Sequence, residues 1–242
     1  GKVRLLSWGA PMVSLLGVCL LLFVAVGLSS NRAAIRLRTV LLAFGLQGGI
    51  GFVALWTDWG IAALVAASEY VAALLGYSRA GMEFMFGGLV GTSDSLGFVF
   101  AFNVLPVVIF FSSLIAVLYH ARVMQWMIRI LGGGLRKLLG TSHTESLSAA
   151  ANVFVGQAEA PLVVRPYIPT MTQSELFAVM VGGMASIAGS VMAGYVALGV
   201  PLEYLLAASF MAAPGGLLMA KLIEPEVDQP AEPAQGEKLT TE

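Results

Sequence analysis

Hydrophobic residues gather in a few long runs along the chain, separated by short polar segments. The longest runs cover residues 11–28, 40–56 and 98–119. A helix that crosses the hydrocarbon core of a bilayer needs about 20 mostly apolar residues. The pattern therefore predicts three membrane-spanning helices. For residues 11–28 a secretory signal peptide is the alternative, but the run is long and lacks a clean small-x-small cleavage site, which favours a span.

Two segments predict helices that lie at the membrane surface. Residues 60–75 are rich in Ala and Leu, and Glu69 argues against a simple lipid-exposed span, so we expect this helix at the outer interface or against other helices. Residues 121–139 place apolar side chains at helical spacing between basic ones, which is typical of an amphipathic helix at the cytoplasmic surface.

Two later segments, residues 174–200 and 201–223, predict helices rich in Gly, Ala and Ser. Small residues let helices pack closely, which is one interpretation of the four glycines in the first of them. The other interpretation is that this helix unwinds near Ser186 and exposes backbone carbonyls to an ion. Spacing alone leaves both open. Thr172 and Glu175 have the spacing of a capping box at the start of this helix.

Composition supports a membrane protein, because 58% of the residues are hydrophobic and only 11% are charged. A soluble domain has about 25% charged residues, so ordinary soluble enzymes, nucleic-acid binders and disordered proteins are excluded. Arg32, Arg36 and Arg38 place the first loop in the cytoplasm by the positive-inside rule, and the N-terminus outside. Residues 224–242 hold six acids and one base, which predicts a flexible acidic tail or loop on the cytoplasmic side.

Residues 143–168 are too polar for a plain span and too apolar for a surface loop. Two short helices that meet at Val155-Gly156-Gln157 would reconcile both properties and form a re-entrant hairpin. Irregular backbone at membrane depth is tolerated only where protein or a water-filled cavity covers it.

Glu159 is the strongest candidate for a functional residue. An acid near the bilayer centre costs about 2.5 kcal/mol or more, so it indicates a function by default. Gln157 lies two residues away with a donor and an acceptor in one side chain, and a Gln–Glu pair can bind the edge of a nucleobase or another polar heterocycle. Gly156 allows a close backbone approach. His143 is a candidate proton carrier, although a surface or capping histidine is the more common case.

Eight short motifs follow one another along the chain. They are Phe110-Phe-Ser-Ser113, Gly140-Thr-Ser142, Glu145-Ser-Leu-Ser-Ala149, Gly156-Gln-Ala-Glu-Ala-Pro161, Arg165-Pro-Tyr167, Met171-Thr-Gln-Ser-Glu175, Gly182-Gly-Met-Ala-Ser-Ile-Ala-Gly-Ser190 and Ala213-Pro-Gly-Gly216. In these motifs and their order the chain resembles the concentrative nucleoside transporters of bacteria, and the likeness runs through the chain from about residue 31 to residue 223.

The resemblance implies an all-α, multi-span transporter of the inner membrane, built as an inverted repeat and assembled as a homotrimer. It implies a scaffold part at residues 1–140 and a moving transport part at residues 141–223, which contains the hairpin. Its substrate is a nucleoside, its coupling ion sodium or a proton, and no other cofactor is implied. The residues that match nucleobase contacts are Gly156, Gln157, Ala158, Glu159 and Val191. The residues that match the sodium site are the Asn152 side chain, the Val155 carbonyl, Ser186 and the Ile187 carbonyl.

Two departures from the family pattern matter. Ala158 stands where the family usually has Thr or Ser, which removes a hydroxyl beside the nucleobase. The family also continues into a second half that supplies the ribose contacts, so we expect this chain to be the N-terminal half of a cation-coupled nucleoside transporter. The alternatives are a membrane-embedded enzyme that uses Glu159 and His143, and a structural or regulatory membrane subunit without a ligand.

Overall fold

The computed structural model describes residues 9–93, 97–157 and 159–230. In these residues the chain is helical, apart from one antiparallel pairing of two-residue strands in which Thr92 is opposite Phe98. The predicted all-α class is confirmed. The elements in order are α1 (Gly9–Gly27), α2 (Leu37–Trp56), α3 (Asp58–Phe86), β1 (Thr92–Ser93), β2 (Gly97–Phe98), α4 (Phe100–Asn103), α5 (Leu105–His120), α6 (Val123–Leu139), α7 (His143–Ala151), α8 (Ala160–Val163), α9 (Gln173–Ala185), α10 (Gly189–Ala197) and α11 (Leu202–Ile223), with 3-10 turns at Arg32–Ala34, Gly87–Leu89 and Arg165–Thr170.

Helix α3 is much longer than the segment 60–75 predicted from the sequence. Thr57 caps its start by accepting a hydrogen bond from the Gly60 N–H, and Gly87 ends it with a φ of 55°. Glu69 lies on an exposed face and so does not interrupt the backbone ladder. By length and composition α3 could cross a membrane, which the sequence prediction disfavours.

The predicted span 98–119 is divided by a break at Val104. Pro106 stands in the first turn of α5, where its missing N–H costs no helical hydrogen bond. Asn103 holds this break in place, because its Oδ1 accepts from the Gly91 N–H at 2.6 Å and its Nδ2 donates to the Val99 carbonyl at 2.8 Å. Together, residues 100–120 are apolar and long enough to span.

The described residues of the segment 143–168 form two short helices, α7 and α8, around an irregular connection that includes residues 152–157 and 159. The next predicted helix, 174–200, is also divided: α9 ends at Ala185, and α10 begins at Gly189. The unwinding that the sequence offers as one of two interpretations near Ser186 is therefore present. Extended ψ angles of 156° at Ser186 and 133° at Ala188 interrupt the helix.

The largest hydrophobic core surrounds α11. It joins Ala25 of α1 and Ala43 of α2 to Ala178 of α9 and Leu217 of α11, and these side chains are almost fully buried. Within an apolar stretch of 18 residues in each helix, 56% of the residues are buried in α11 and 6% in α3. Helix α11 is therefore an inner helix and α3 a peripheral one. A second core joins α3 to α5 through Met82, Val107 and Phe111. The main core thus runs across the predicted border at residue 140 between a scaffold and a transport part.

The start of the predicted flexible tail is packed rather than free. The Glu224 carbonyl accepts a hydrogen bond from Ser174 Oγ at 2.6 Å, and Glu226 Oε2 accepts one from Thr172 Oγ1 at 2.9 Å. Composition cannot predict these bonds, because the partners lie about fifty residues earlier in the chain. Residues 231–242 of the predicted tail lie outside the described residues.

Candidate functional site

Helices α7 and α9 begin with the same capping arrangement. Ser142 Oγ accepts from the Glu145 N–H while Glu145 Oε2 accepts from the Ser142 N–H, and Thr172 and Glu175 repeat this pair. A capping box satisfies two N–H groups that the first turn of a helix leaves without partners. The sequence predicts the second box. It also carries the same signal, Ser-x-x-Glu, for the first box, which our sequence analysis did not use.

One buried lysine joins the two helix starts. Lys221 of α11 contacts Glu145 Oε1 and donates to Ser174 Oγ at 2.8 Å, and its Nζ lies 3.4 Å from Glu226 Oε2. Thr144 Oγ1 of α7 donates to Glu175 Oε1 of α9 at 2.5 Å. Burial raises the pKa of the Glu145 carboxyl, and the Lys221 ammonium and the Ser142 N–H act in the opposite direction. This network fixes α7, α9 and the end of α11 as one unit.

At the opposite end of this unit, two irregular segments meet. One is the tip, which comprises the described residues 152–157 and 159 between α7 and α8, and the other is the break between α9 and α10 at residues 186–188. Ser186 Oγ lies 3.5 Å from Asn152 Oδ1 and 3.4 Å from the Gly183 carbonyl. Asn152 is 1% exposed, and among the described residues its Nδ2 has no hydrogen-bond partner. Two of the four predicted sodium ligands, Asn152 and Ser186, are thus in contact although they lie far apart in the sequence.

Glycines make this close approach possible. A Cβ on Gly189 would lie 2.7 Å from the Phe154 carbonyl oxygen, a distance that real Cβ atoms essentially never show. A Cβ on Gly182 would lie 3.0 Å from Asn152 Nδ2, and one on Gly183 would lie 3.1 Å from Gln157 Cβ. The tip therefore fits against the break only because these positions lack side chains. Both interpretations of these glycines therefore apply. The glycines allow close packing, and the helix also unwinds between Ala185 and Gly189.

The other predicted ion ligands differ in their surroundings. Val155 is fully buried in a core between α6, α7 and α9, whereas Ile187 is half-buried beside Met192 and Leu202. No group of three or more His, Cys, Asp or Glu side chains within the described ranges could hold a metal ion. A cation at this place would therefore be bound by amide, hydroxyl and carbonyl oxygens, which suit a hard cation.

Three of the predicted nucleobase contacts are at least partly exposed. Gln157 is exposed, Glu159 is half-buried, and Val191 on α10 is 44% exposed. Gly156 is buried, and a Cβ there would lie 2.8 Å from Glu159 Oε2 and 3.0 Å from Ala188 Cβ. Ala158 lies outside the described residues. The tip thus offers one acid and one amide beside an apolar helix face.

His143, the predicted proton carrier, lies at the opposite end of α7 from the tip. Its ring packs edge-on against Tyr167 with 6.5 Å between the ring centroids. It also lines a cavity with Tyr119, Gln125 and Arg129.

Comparison with known protein families gives two matches. A model described as the N-terminus of sodium-dependent nucleoside transporters matches residues 16–89, and one described as nucleoside recognition matches residues 101–202, which include the tip and the break. Among curated proteins, the chain is 48% identical over 221 residues to the nucleoside permease NupC of Helicobacter pylori, covering 90% of this chain and 53% of that protein. It is 58% identical over 216 residues to an uncharacterized transporter of Haemophilus influenzae, covering 89% and 52%.

A human relative and a solved structure show the same similarity. The human sodium/nucleoside cotransporter 1 is 41% identical over 218 residues, which cover 90% of this chain and 33% of that protein. The structure of CNTnw in an inward-facing, substrate-bound state is 55% identical, with a TM-score of 0.88 over 93% of this chain and 55% of that one. In sequence and fold the chain matches the N-terminal half of the concentrative nucleoside transporters.

The chain spans about half the length of the bacterial curated relatives reported above. Variants of CNTnw in outward-facing and intermediate states match with TM-scores of 0.87 and 0.85, so the likeness covers several transport states about equally. The matched curated relatives are described as transporters or permeases, which favours transport over the enzyme hypothesis for Glu159 and His143.

Proposed function

We propose that this chain forms the N-terminal half of a sodium-coupled nucleoside transporter. In this proposal Asn152, the Val155 carbonyl, Ser186 and the Ile187 carbonyl bind sodium, and Gln157 and Glu159 bind the nucleobase with Gly156, Ala158 and Val191 around it. The observation that carries the proposal is the contact between Asn152 and Ser186, which joins the tip to the helix break.

In this proposal the position of the ion site links sodium binding to nucleoside binding. Asn152 begins the irregular connection and Glu159 ends it, so a cation that bridges Asn152 and Ser186 orders the backbone that carries Gln157 and Glu159. A ligand that binds one conformation better than another shifts the population toward it. Sodium therefore binds first in this scheme, and the nucleoside binds to the ordered tip.

The remaining features of the proposal follow from the family and from the charge pattern. The complete protein is a homotrimer in the bacterial inner membrane, with residues 143–168 as a re-entrant hairpin within one half of an inverted repeat. The N-terminus lies outside, and residues 224–242 lie in the cytoplasm. A transport part that contains the hairpin moves against a static scaffold. The scaffold parts of this chain come from residues 1–140.

Sodium binding is testable on this chain by thermal unfolding in detergent. We expect the unfolding temperature to rise with NaCl but not with KCl at equal ionic strength, because a ligand of the folded state stabilises it. Asn152→Ala and Ser186→Ala should each remove the sodium response. Ser113→Ala is the matched control, since this exposed hydroxyl donates to the Ile109 carbonyl of its own helix, its one hydrogen bond among the described residues.

Nucleoside binding forms the second arm of this experiment. Uridine should raise the unfolding temperature further in NaCl but not in KCl, and Glu159→Gln should abolish the uridine effect while it keeps the sodium effect. Equal unfolding temperatures in both salts, with and without uridine, would contradict the proposal and favour a structural or regulatory subunit.

A further inference from the structure

The cavity lined by His143 lies between the α5–α6 corner and the start of α7. Its volume is about 200 Å³, and its lining includes Tyr119, Gln125, Arg129 and His143. Nothing in the proposed transport cycle uses these side chains.

Two residues that line this cavity have buried hydrogen-bonding atoms without partners among the described residues. Tyr119 Oη and Gln125 Oε1 are both buried, and neither has a hydrogen-bond partner among the described residues. Gln125 Nε2 donates to the Tyr119 backbone carbonyl at 2.9 Å, which leaves the amide oxygen as a free acceptor. Buried polar atoms without partners are rare in folded proteins and call for a ligand or water.

The cavity lining combines hydrogen-bond acceptors with a positive charge. Tyr119 Oη and Gln125 Oε1 are hydrogen-bond acceptors without partners in the part of the chain that the structure describes. Arg129 is exposed and positively charged. A ligand with an anionic group next to a cationic hydrogen-bond donor complements this arrangement.

Helix α6 places the cavity at a membrane surface. One face of α6 packs on α7 through Met124 and Ile128, which are almost fully buried. A second face leaves the apolar side chains of Val123, Trp126 and Ile130 exposed at helical spacing. Gln125 and Arg129, one turn apart, lie between the two faces. An exposed apolar stripe beside basic residues is typical of a helix that lies in the lipid interface.

We propose that this cavity binds the headgroup of phosphatidylethanolamine from the surrounding membrane. The phosphate pairs with Arg129, and the ammonium group donates hydrogen bonds to Gln125 Oε1 and Tyr119 Oη. The acyl chains lie along Val123, Trp126 and Ile130. Phosphatidylcholine has the same two charges but no N–H donor, and phosphatidylglycerol has hydroxyl donors but no cation, so both are weaker ligands.

The test is native mass spectrometry of the detergent-purified chain with each of the three lipids, matched in acyl chains. We expect phosphatidylethanolamine to be retained at least fivefold more than the other two. Gln125→Leu and Tyr119→Phe should lower this ratio toward one, because each removes an acceptor and leaves the phosphate contact intact. Gln125→Glu keeps an acceptor at that position and should preserve the preference.

Two controls separate headgroup recognition from general effects. Arg129→Gln should weaken retention of all three lipids, because they share the phosphate. Tyr70→Phe on the exposed part of α3 should change nothing, and circular dichroism of every variant verifies that the helices are intact. Equal retention of the three lipids by the unaltered chain would overturn the proposal, as would a preference for phosphatidylglycerol or a preference that survives both Gln125→Leu and Tyr119→Phe.

Discussion

Lys221 neutralises carboxylates that the fold has taken out of water. It is buried among Glu145, Glu226 and Ser174, and Glu145 is 1% exposed. Removing one partner of a buried ion pair is costly because the other charge stays buried and uncompensated, and measured losses are about 3–5 kcal/mol. We therefore expect Lys221→Met to lower the free energy of unfolding of the chain by about this amount.

The measurement for Lys221 is a double-mutant cycle by denaturant or thermal unfolding in detergent. Glu145→Gln combined with Lys221→Met should be less destabilised than the sum of the two single variants, since the charges disappear together. The exposed Lys137→Met on α6 is the matched control and should change the free energy by no more than about 0.5 kcal/mol. Additive effects of the two single variants would show that the pair is not coupled.

Single residues differ in how far the sequence alone predicts them. Glu159 stands out because an acid inside an apolar stretch is rare, and this signal needs no knowledge of the fold. Lys221 does not stand out, since a lysine near the end of a spanning helix ordinarily extends toward water. Its burial depends on Glu145 and Ser174, which only the packing of three helices brings to it.

Among the helices, the contact between the tip and the break depends on a glycine. Gly189→Ala places a Cβ 2.7 Å from the Phe154 carbonyl oxygen, and a backbone atom cannot rotate away as a side chain does. The tip must then move from the break, which separates Asn152 from Ser186. We expect that Gly189→Ala raises the sodium concentration needed for half of the thermal stabilisation described above by at least tenfold.

Gly133→Ala on α6 is the matched control for this substitution. Nothing lies within 4 Å of a Cβ at this helical position, and Ala favours helix over Gly, so the variant should be as stable as the unaltered chain or slightly more so. An unchanged sodium response in Gly189→Ala would mean that the tip and the break do not share an ion site.

The lengths of the helices follow from the sequence only in part. The division near Ser186 is foreseeable as one of two interpretations, because a run of glycines weakens a helix. The length of α3 is not, because Glu69 suggests an interruption whereas the capping Thr57 and the left-handed Gly87 set the actual ends. A helix end depends on local hydrogen bonds more than on a single charged residue within it.

At the scale of the whole molecule, the proposed nucleoside site is open on one side. Gln157 is exposed, and Val191 on the neighbouring helix is partly exposed, so the tip lacks a surface that would enclose a nucleoside. The chain covers 53% of the Helicobacter pylori permease, so that relative is nearly twice as long. A site that encloses its ligand buries most of the ligand surface, so this chain alone should bind nucleosides weakly.

Transport requires more of the protein than binding does, because the substrate site must open alternately to each side of the membrane. We expect no sodium-dependent uridine uptake by proteoliposomes that contain only the 242-residue chain. The full-length human sodium/nucleoside cotransporter 1, reconstituted in parallel, serves as the positive control for the assay. Uridine accumulation that requires a sodium gradient and is lost in Glu159→Gln would show that this half transports by itself. Uptake that persists in Glu159→Gln would instead indicate leakage of the vesicles.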